Sequence, residues 1–578
     1  MKHLWTFGFL LAAVACVAAP AADVTPTPAT PTAPAVPVTS TVTAPGPLPT
    51  PAPVRTPTTA PPPTQTPVQD PALRADQVYV YPRPLVSGDH ATFDVVPLLP
   101  AEGATDVEVV LTLSAGETLT APVWVAGFEQ TARARFYWAW DTEGLSGTQL
   151  VTLTLALPPA VHDPDPTNNR LVLPITLEPR TQLAPPEPDV RWQITQTAGM
   201  RLYYLTGSAA ARDLTEIVET AEAAYAEATA QMGPGLESPV DIFLLDRVVG
   251  QGGYAAPDWV AVSYVDRAYL PSKLQMTLVH ELIHRLDAGI GCDEAPTLLR
   301  EGLAVMISGG HYWPASLPRK AANLPGTERY IPLHDLVADF YLHQHEIGYL
   351  EAGAFLVYLE ETLGSSGVET LCQTASSAAG TDRERLSAAL MEAGLGNLAE
   401  VERDWLRWLD VLHPTEREAR ALEVEIRYLE TLRAYQARHD RVAHFRMGVL
   451  FSPAAALSSG ITADFVRDPD VPEAIALELL LRLAGEQLQR QSLTRADALL
   501  DDVEGALDGP PPWKGRAQDV LEIVEAALAQ GYEPYRVLDK PVQGGWLIYA
   551  LDRVDWPTQR LLWAAQNEAG RWLVTGPQ

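Results

Sequence analysis

The stretch Leu278-Val-His-Glu-Leu-Ile-His-Arg-Leu286 decides how the middle of this 578-residue chain folds. Apolar residues recur in it at helical spacing, and no Pro or Gly interrupts residues 272–288, so the pattern predicts a buried helix. Residues four apart project from the same face of a helix. His280 and His284 would therefore lie one turn apart on one face, with Glu281 directly after the first histidine.

This arrangement of residue types suits a metal ion. Two neutral imidazoles can bind one zinc at about 2.0–2.1 Å each, and a hydrolytic zinc site needs a third protein ligand beside an open position. Glu301, in Arg300-Glu-Gly-Leu-Ala304, would complete a His/His/Glu set, since the break at Pro296 lets a second helix return to the first. Glu281 would lie beside the metal, where it could take a proton from water.

The pairing of His280-Glu-Leu-Ile-His284 with Glu301-Gly-Leu-Ala304 resembles the gluzincin metallopeptidases, and looks most like the broad peptidase MA group of bacterial extracytoplasmic enzymes. The resemblance implies one zinc ion on His280, His284 and Glu301, with Glu281 as the catalytic base. Tyr349 holds the position of a tyrosine that, in gluzincin aminopeptidases, donates a hydrogen bond to the oxyanion; the alternative is a buried structural tyrosine.

The sequence also departs from that family. It has no G-x-M-E-N segment, with which aminopeptidases hold the free amine of the substrate, so exopeptidase action is in doubt. Val305 stands where some gluzincins have an acidic residue that orients a histidine. Asp287 is either a replacement for that acceptor or an exposed residue at a helix end. The resemblance covers about residues 187–410.

Charge and composition limit the partners. Asp and Glu number 72 against 41 Lys and Arg, a formal charge of -31, which excludes nucleic acid because phosphate binding needs clustered cations. We expect a peptide or protein substrate instead. The sequence leaves the oligomeric state open.

The N-terminus predicts export. Residues 1–22 read as a signal peptide with an apolar region too short to span a bilayer. Either Cys16 belongs to a lipobox and becomes a lipid anchor, or cleavage follows the small residues Ala15, Ala19 or Ala22. The protein is then a cell-surface lipoprotein or is secreted. Residues 23–71 are rich in Pro and Thr and predict an extended linker.

The remaining chain predicts a multidomain fold in four units. Residues 72–180 alternate at period two and predict a β-sandwich. The segment Asp163-Pro-Asp-Pro-Thr-Asn-Asn169, before the last predicted strand, resembles CARDB-type immunoglobulin-like domains. The resemblance to gluzincins implies that residues 187–410 form an α+β unit of the zincin peptidase type. Residues 411–532 predict a helical domain, and residues 533–578 a small C-terminal β-unit.

Several features inside the α+β unit complete the predictions. The pattern at residues 259–264 predicts a strand before the metal helix, and the resemblance implies that this strand is a sheet edge that pairs with substrate backbone. A glycine-rich loop is expected over this edge at 250–254. Cys292 and Cys372 form either one disulfide or two separate buried thiols. His311 and Tyr312 are substrate contacts or structural residues.

The expected function is extracytoplasmic zinc-dependent hydrolysis of peptide bonds by metal-activated water. The alternative is a catalytically silent gluzincin-fold lipoprotein that binds or scaffolds at the cell surface. A third hypothesis is a hydrolase of the same type with a non-peptide amide substrate.

Overall fold

The computed structural model describes residues 14–15, 70–100, 106–126, 131–233, 235–236, 238–270, 273–444, 447–467, 469–538 and 545–576. The predicted signal peptide with Cys16 and nearly all of the predicted linker lie outside the described residues, apart from the backbone of a two-residue strand, β1 (Val14–Ala15). None of the helices in the described ranges combines the length and the apolar composition needed to cross a bilayer.

Two antiparallel four-stranded sheets come first, in the orders β2-β3-β7-β6 and β5-β4-β8-β9. They enclose a core that includes Phe93, Leu111 and Leu153. Alternation explains the packing, since Val151, Leu153 and Leu155 of β8 are buried between half-buried threonines. The strands are β2 (Val78–Tyr81), β3 (His90–Val95), β4 (Glu108–Thr112), β5 (Thr118–Pro122), β6 (Trp124–Ala126), β7 (Thr131–Asp141), β8 (Gly147–Ala156) and β9 (Arg170–Leu177).

A mixed sheet comes next, in the order β1-β13-β14-β12-β11-β10. Its central strands β11, β12 and β14 are parallel, and α2 joins the first two of them. Its elements are β10 (Trp192–Gln196), β11 (Met200–Leu205), α1 (Ala209–Arg212), α2 (Leu214–Met232), β12 (Val240–Leu245), β13 (Gly253–Ala255) and β14 (Trp259–Ser263).

The prediction that the strand 259–264 forms the sheet edge is wrong by one strand. β14 lies inside the sheet, because part of the expected glycine-rich loop is itself the strand β13, which pairs antiparallel with β14 from Gly253 opposite Val262. Gly253 makes this possible, since a Cβ atom there would lie 2.8 Å from Thr277 Cγ2 and 3.0 Å from Glu281 Cγ. β13 therefore runs directly over the predicted metal helix, and beyond it lies only β1 among the described strands.

Helices make up most of the chain between residues 274 and 528. α3 carries the His-Glu-x-x-His stretch as predicted, and α7 ends at Gly364. The helices are α3 (Leu274–Leu286), α4 (Thr297–Ser308), α5 (Leu317–Ala321), α6 (Leu333–Ala338), α7 (His345–Leu363), α8 (Ser365–Ser377), α9 (Asp382–Glu392), α10 (Leu398–Asp410), α11 (Glu416–His439), α12 (Pro453–Ser459), α13 (Pro472–Gln489), α14 (Leu493–Leu507) and α15 (Gly515–Leu528).

An antiparallel sheet in the order β15-β16-β17-β18 closes the described chain. The predicted succession of a β-rich N-terminal part, a helical part and a small C-terminal β-unit is confirmed. The immunoglobulin-like assignment and the residue boundaries of the units stay predictions. The strands are β15 (Tyr532–Val537), β16 (Gly545–Asp552), β17 (Gln559–Gln566) and β18 (Trp572–Thr575).

A disulfide joins Cys292, in the segment after α3, to Cys372 on α8, with their Cα atoms 4.8 Å apart. Of the two alternatives that the sequence left open, the bonded one is therefore correct. The bond closes a loop with a sequence separation of 80 residues, which contains α4 and α7. It ties the segment after α3 to α8.

The helices α4 and α7 approach each other through two glycines. A Cβ atom at Gly302 would lie 2.7 Å from the carbonyl oxygen of Ala352, and one at Gly353 would lie 2.5 Å from Val305 Cγ1. These separations are too short for real Cβ contacts, so neither position accepts even alanine without movement of a helix.

We predict that Gly302→Ala lowers the free energy of unfolding by about 2 kcal/mol, because the new methyl group meets the Ala352 carbonyl group as well as Leu356 Cδ2, and the backbone carbonyl cannot turn away. Gly505→Ala is the matched control: Gly505 lies within α14, and its Cβ would have nothing within 4 Å. That change should stabilise by about 0.5–1 kcal/mol. Chemical unfolding measures both, and similar effects from the two changes would contradict the packing argument.

Candidate metal centre

α3 presents its two histidines as the spacing predicts. His280 Nε2 and His284 Nε2 are 3.1 Å apart, with ring centroids separated by 4.9 Å. The side chain of His280 is fully buried and that of His284 is 8% exposed. Burial lowers the pKa of His280 to about 4, so its imidazole is neutral at neutral pH, the form that binds a metal ion.

α4 brings Glu301 to the same point. Glu301 Oε2 lies 3.3 Å from Nε2 of His280 and 3.3 Å from Nε2 of His284. Among the described residues, these three form the one group of His, Cys, Asp and Glu side chains found close enough to hold a metal ion. The sequence prediction of the three ligand positions thus corresponds to three side chains that meet in space.

The donor set fits zinc. In a tetrahedral zinc site with zinc–ligand bonds of about 2.0–2.1 Å, neighbouring ligand atoms lie about 3.3 Å apart. The three observed separations are 3.1, 3.3 and 3.3 Å, and the donors are two imidazoles and a carboxylate. Burial alone would raise the pKa of Glu301, but His284 and hydrogen bonds from both histidines hold it well below its usual value. The carboxylate is therefore ionised, as a ligand must be.

Glu281 lies on α3 beside these metal donors, but its contacts differ from theirs. It is fully buried, and within the described part of the chain neither carboxylate oxygen has a hydrogen-bond partner. Burial raises its pKa well above the usual value, and the nearby charge of Glu301 adds to the shift. A buried carboxyl without partners is costly, so it needs a reason other than stability.

Two hydrogen bonds hold Glu301 in position, one to its own carboxylate and one from the preceding residue, Arg300. The hydroxyl of Tyr341 donates to Glu301 Oε1 over 2.8 Å, which leaves Oε2 to face the histidines. Arg300 Nε donates to Asp287 Oδ2 over 2.9 Å and ties the start of α4 to the end of α3. Asp287 is buried, so the alternative of an exposed aspartate is wrong, and its hydrogen bond goes to Arg300.

Sequence reasoning did not find Tyr341. Tyr341 lies outside any helix that carries the motif, in the segment between α6 and α7, and only the fold brings it to Glu301. Its one signal in the sequence is its place eight residues before Tyr349, within a short run of aromatic residues.

Tyr349 lies on α7 within an aromatic cluster against His280. Its ring stacks on His311 at 3.8 Å between centroids and lies 6.3 Å from the ring of His280. His311 Nε2 in turn is 2.9 Å from His345 Nε2. Tyr349 is buried, and its hydroxyl has no hydrogen-bond partner among the described residues. His311 and Tyr312 therefore lie beside the centre, as the sequence allowed.

No protein-family profile matches the sequence, and no curated protein is significantly similar to it. Among the solved structures that align with the chain, three have low scores. An M1 zinc metallopeptidase from Deinococcus radiodurans is 13% identical, covers 60% of this chain and 95% of its own, and has a TM-score of 0.29.

The second is native leukotriene A4 hydrolase from Saccharomyces cerevisiae. It is 11% identical, covers 76% of this chain and 85% of its own, and has a TM-score of 0.27. The third is an aminopeptidase N family protein from Idiomarina loihiensis. It is 10% identical, covers 88% of this chain and 95% of its own, and has a TM-score of 0.14. At these TM-scores the likenesses do not establish a fold or an activity, and the argument for function comes from the side chains described above.

We predict that Tyr341→Phe weakens zinc binding about 10–100-fold, because the carboxylate of Glu301 loses the hydrogen bond that orients it. Competition with a chelating dye measures the affinity. Tyr330→Phe is the matched control, since the hydroxyl of Tyr330 donates a hydrogen bond to Glu402, which is not one of the three candidate metal ligands. Equal zinc affinities of Tyr341→Phe and the parent would exclude the orienting role.

Proposed function

We propose that the protein is an extracytoplasmic, zinc-dependent peptidase that hydrolyses peptide bonds with an activated water. The observation that carries the proposal is Glu281, a buried carboxyl without a hydrogen-bond partner among the described residues, next to three convergent metal donors. A structural metal site needs no such neighbour, whereas a hydrolytic site needs a base at this position.

His280, His284 and Glu301 would hold the zinc. When bound, the zinc supplies Lewis acidity for the addition of water to a carbonyl group. Glu281 takes one proton from the attacking water as the new C–O bond forms. It then gives this proton to the amide nitrogen, which leaves as an amine when the C–N bond breaks.

Tyr349 would stabilise the charge that develops on the carbonyl oxygen. Its hydroxyl is free to donate, since no acceptor for it lies among the described residues. Burial raises its pKa well above the usual value, and the charge of Glu301 adds to the shift, so the phenol keeps its proton. A donor placed where negative charge appears lowers the barrier without reorganisation.

β13 is the strand to which substrate backbone would add. It lies over Glu281 at Gly253, and β1 pairs with it antiparallel, Val14 opposite Tyr254 and Ala15 opposite Gly253. The predicted removal of the signal peptide would free this edge in the mature protein. An extended peptide could then pair through its main chain, which favours recognition of many sequences.

Two features support the proposed location and partner. The Cys292–Cys372 disulfide suits an oxidising compartment outside the cytoplasm. The strong negative charge disfavours nucleic acid and leaves a peptide or protein as the substrate. Anchoring through Cys16 or free secretion would both place the centre outside the cell.

We predict that Glu281→Gln lowers the rate of peptide hydrolysis about 10²–10⁴-fold while one zinc per chain remains bound, because the amide cannot accept the proton. Elemental analysis and cleavage of a peptide library measure the two quantities. Glu351→Gln is the matched control: Glu351 is also buried, on α7, but one of its oxygens accepts from the backbone of Ile331.

Other outcomes would decide against this function. Full activity of Glu281→Gln with zinc bound would exclude the mechanism. A parent protein that binds zinc yet cleaves neither peptides nor other amides would favour the catalytically silent scaffold, and cleavage of non-peptide amides alone would favour the third hypothesis. A His284→Ala variant that binds zinc as tightly as the parent would exclude the metal site itself.

A further inference from the structure

Lys273, the residue directly before α3, carries an amino group without an anion. Its Nζ is buried and has no hydrogen-bond partner among the described residues. Burial lowers the pKa of Lys273 below its usual value, the direction expected for a cation that no negative charge compensates. Near the same centre, by contrast, Arg300 pairs with Asp287 and Lys320 pairs with Glu425. The amino group of Lys273 is therefore available to an anion from outside the described chain.

Lys273 lies on the face of α3 that carries the metal donors. Its carbonyl oxygen accepts hydrogen bonds from the N–H groups of Met276 and Thr277, so helical geometry begins at this residue. Seven residues make about two turns of a helix, which places Lys273 and His280 on one face, about 10.5 Å apart along the axis. Thr277 lies between them, one turn after Lys273.

β13 connects this end of α3 with the metal centre. Gly253, in β13, lies over Glu281. Gln251, two residues earlier in the chain, is held at the start of the metal helix, because its Oε1 accepts hydrogen bonds from the backbone N–H groups of residues 269–270 over 3.0 and 3.3 Å. The direction of β13 is therefore away from Lys273 and toward the metal centre.

A peptide that pairs with β13 as β1 does would run in the opposite direction. β1 is antiparallel to β13. A peptide in its place passes Glu281 and then continues toward the start of α3, so the residues after the cleaved bond approach Lys273. Two residues of an extended peptide span about 6.6–7.2 Å. The flexible four-carbon stem of Lys273 can cover the rest of the distance.

The charge of the surroundings makes a cation at this place useful. Glu281 and Glu301 lie at the centre, and the whole chain has a formal charge of -31. A substrate carboxylate would therefore be repelled unless a positive group met it. An ammonium group forms charge-assisted hydrogen bonds with a carboxylate, which are about twice as strong as neutral ones.

We propose that Lys273 binds a carboxylate of the substrate about two residues after the cleaved bond. This carboxylate is either the C-terminus of the peptide, in which case the protein releases C-terminal dipeptides, or the side chain of an Asp or Glu. The inference rests on the proposed peptidase function and deepens it, since it gives the class of peptide and the side of the cleaved bond on which the peptide is recognised.

The first test compares peptides that differ only in one carboxylate. It uses the zinc-loaded protein purified after export, when the predicted signal peptide has been removed. One pair of peptides ends in a free carboxylate or an amide, and a second pair, both amidated, has Glu or Gln inside the sequence. We expect kcat/KM to be at least about tenfold higher for the acid than for the amide in one pair.

The pair that shows this preference identifies the carboxylate, as the C-terminus in the first and a side chain in the second. Mass spectrometry locates the cleaved bond, which should lie about two residues before that carboxylate. Equal rates within both pairs, or cleavage after the carboxylate rather than before it, would overturn the inference and leave the proposed function in place.

Lys273→Met removes the charge but keeps an unbranched apolar stem, and should lower the acid-over-amide ratio of kcat/KM to about one. Lys514→Met is the matched control, because Lys514 also directly precedes a helix, α15, but is exposed. The control should keep the ratio of the parent. An unchanged ratio in Lys273→Met would overturn the role of this residue.

Two further measurements separate this role from folding and from catalysis. Lys273→Met should not lower the midpoint of thermal unfolding, since it removes a buried polar atom that has no partner in the described chain. In calorimetry, Glu281→Gln should bind the acid peptide at least about tenfold more tightly than the amide without cleaving it. No cleavage by the parent would count against the proposed function, and equal binding of acid and amide would count against the site at Lys273.

Discussion

The close crossing of α4 and α7 is the constraint on which the metal centre depends. Gly302, at the crossing, directly follows Glu301, and Gly353 lies one turn after Tyr349. The absence of side chains at these two points lets the backbones approach, and the approach fixes how far Glu301 and Tyr349 extend toward α3. A wider crossing would separate the third metal donor from the histidines, whatever the motif in α3.

A second constraint holds the helical region against this core. Glu478, on α13, accepts from Arg267 Nε at 2.6 Å, from an Arg247 nitrogen at 3.0 Å and from the Tyr435 hydroxyl at 2.7 Å. Arg247 follows β12 and Arg267 follows β14, whereas Tyr435 lies on α11. Buried ion pairs contribute little net stability, but breaking one is costly, so this group fixes one relative placement of sheet and helices. These contacts of Glu478 therefore hold α11 and α13 against the ends of β12 and β14.

The sequence predicted what depends on local spacing. The metal helix follows from its apolar periodicity, and the placement of the two histidines on one face follows from their separation of four. Short strands with weak alternation, such as β5 and β6, give little signal of their own in the sequence. The edge at β13 was misplaced because its glycine is typical of a loop, whereas pairing with β14 makes this segment a strand. Tyr341 could not be predicted at all, since its contact to Glu301 joins separate elements.

The difference between two buried glutamates, Glu478 and Glu281, supports the proposal that the centre serves a chemical reaction rather than the stability of the fold. Glu478 has three donors, and its charge is compensated where it lies. Around the metal donors, by comparison, five buried polar atoms have no hydrogen-bond partner among the described residues: His280 Nδ1, both oxygens of Glu281, His311 Nδ1 and the Tyr349 hydroxyl. Each such atom costs about 1–3 kcal/mol relative to a satisfied one. Glu478 shows that this fold can compensate a buried carboxylate, and the unpaired oxygens of Glu281 suit the proposed site for water and a substrate carbonyl.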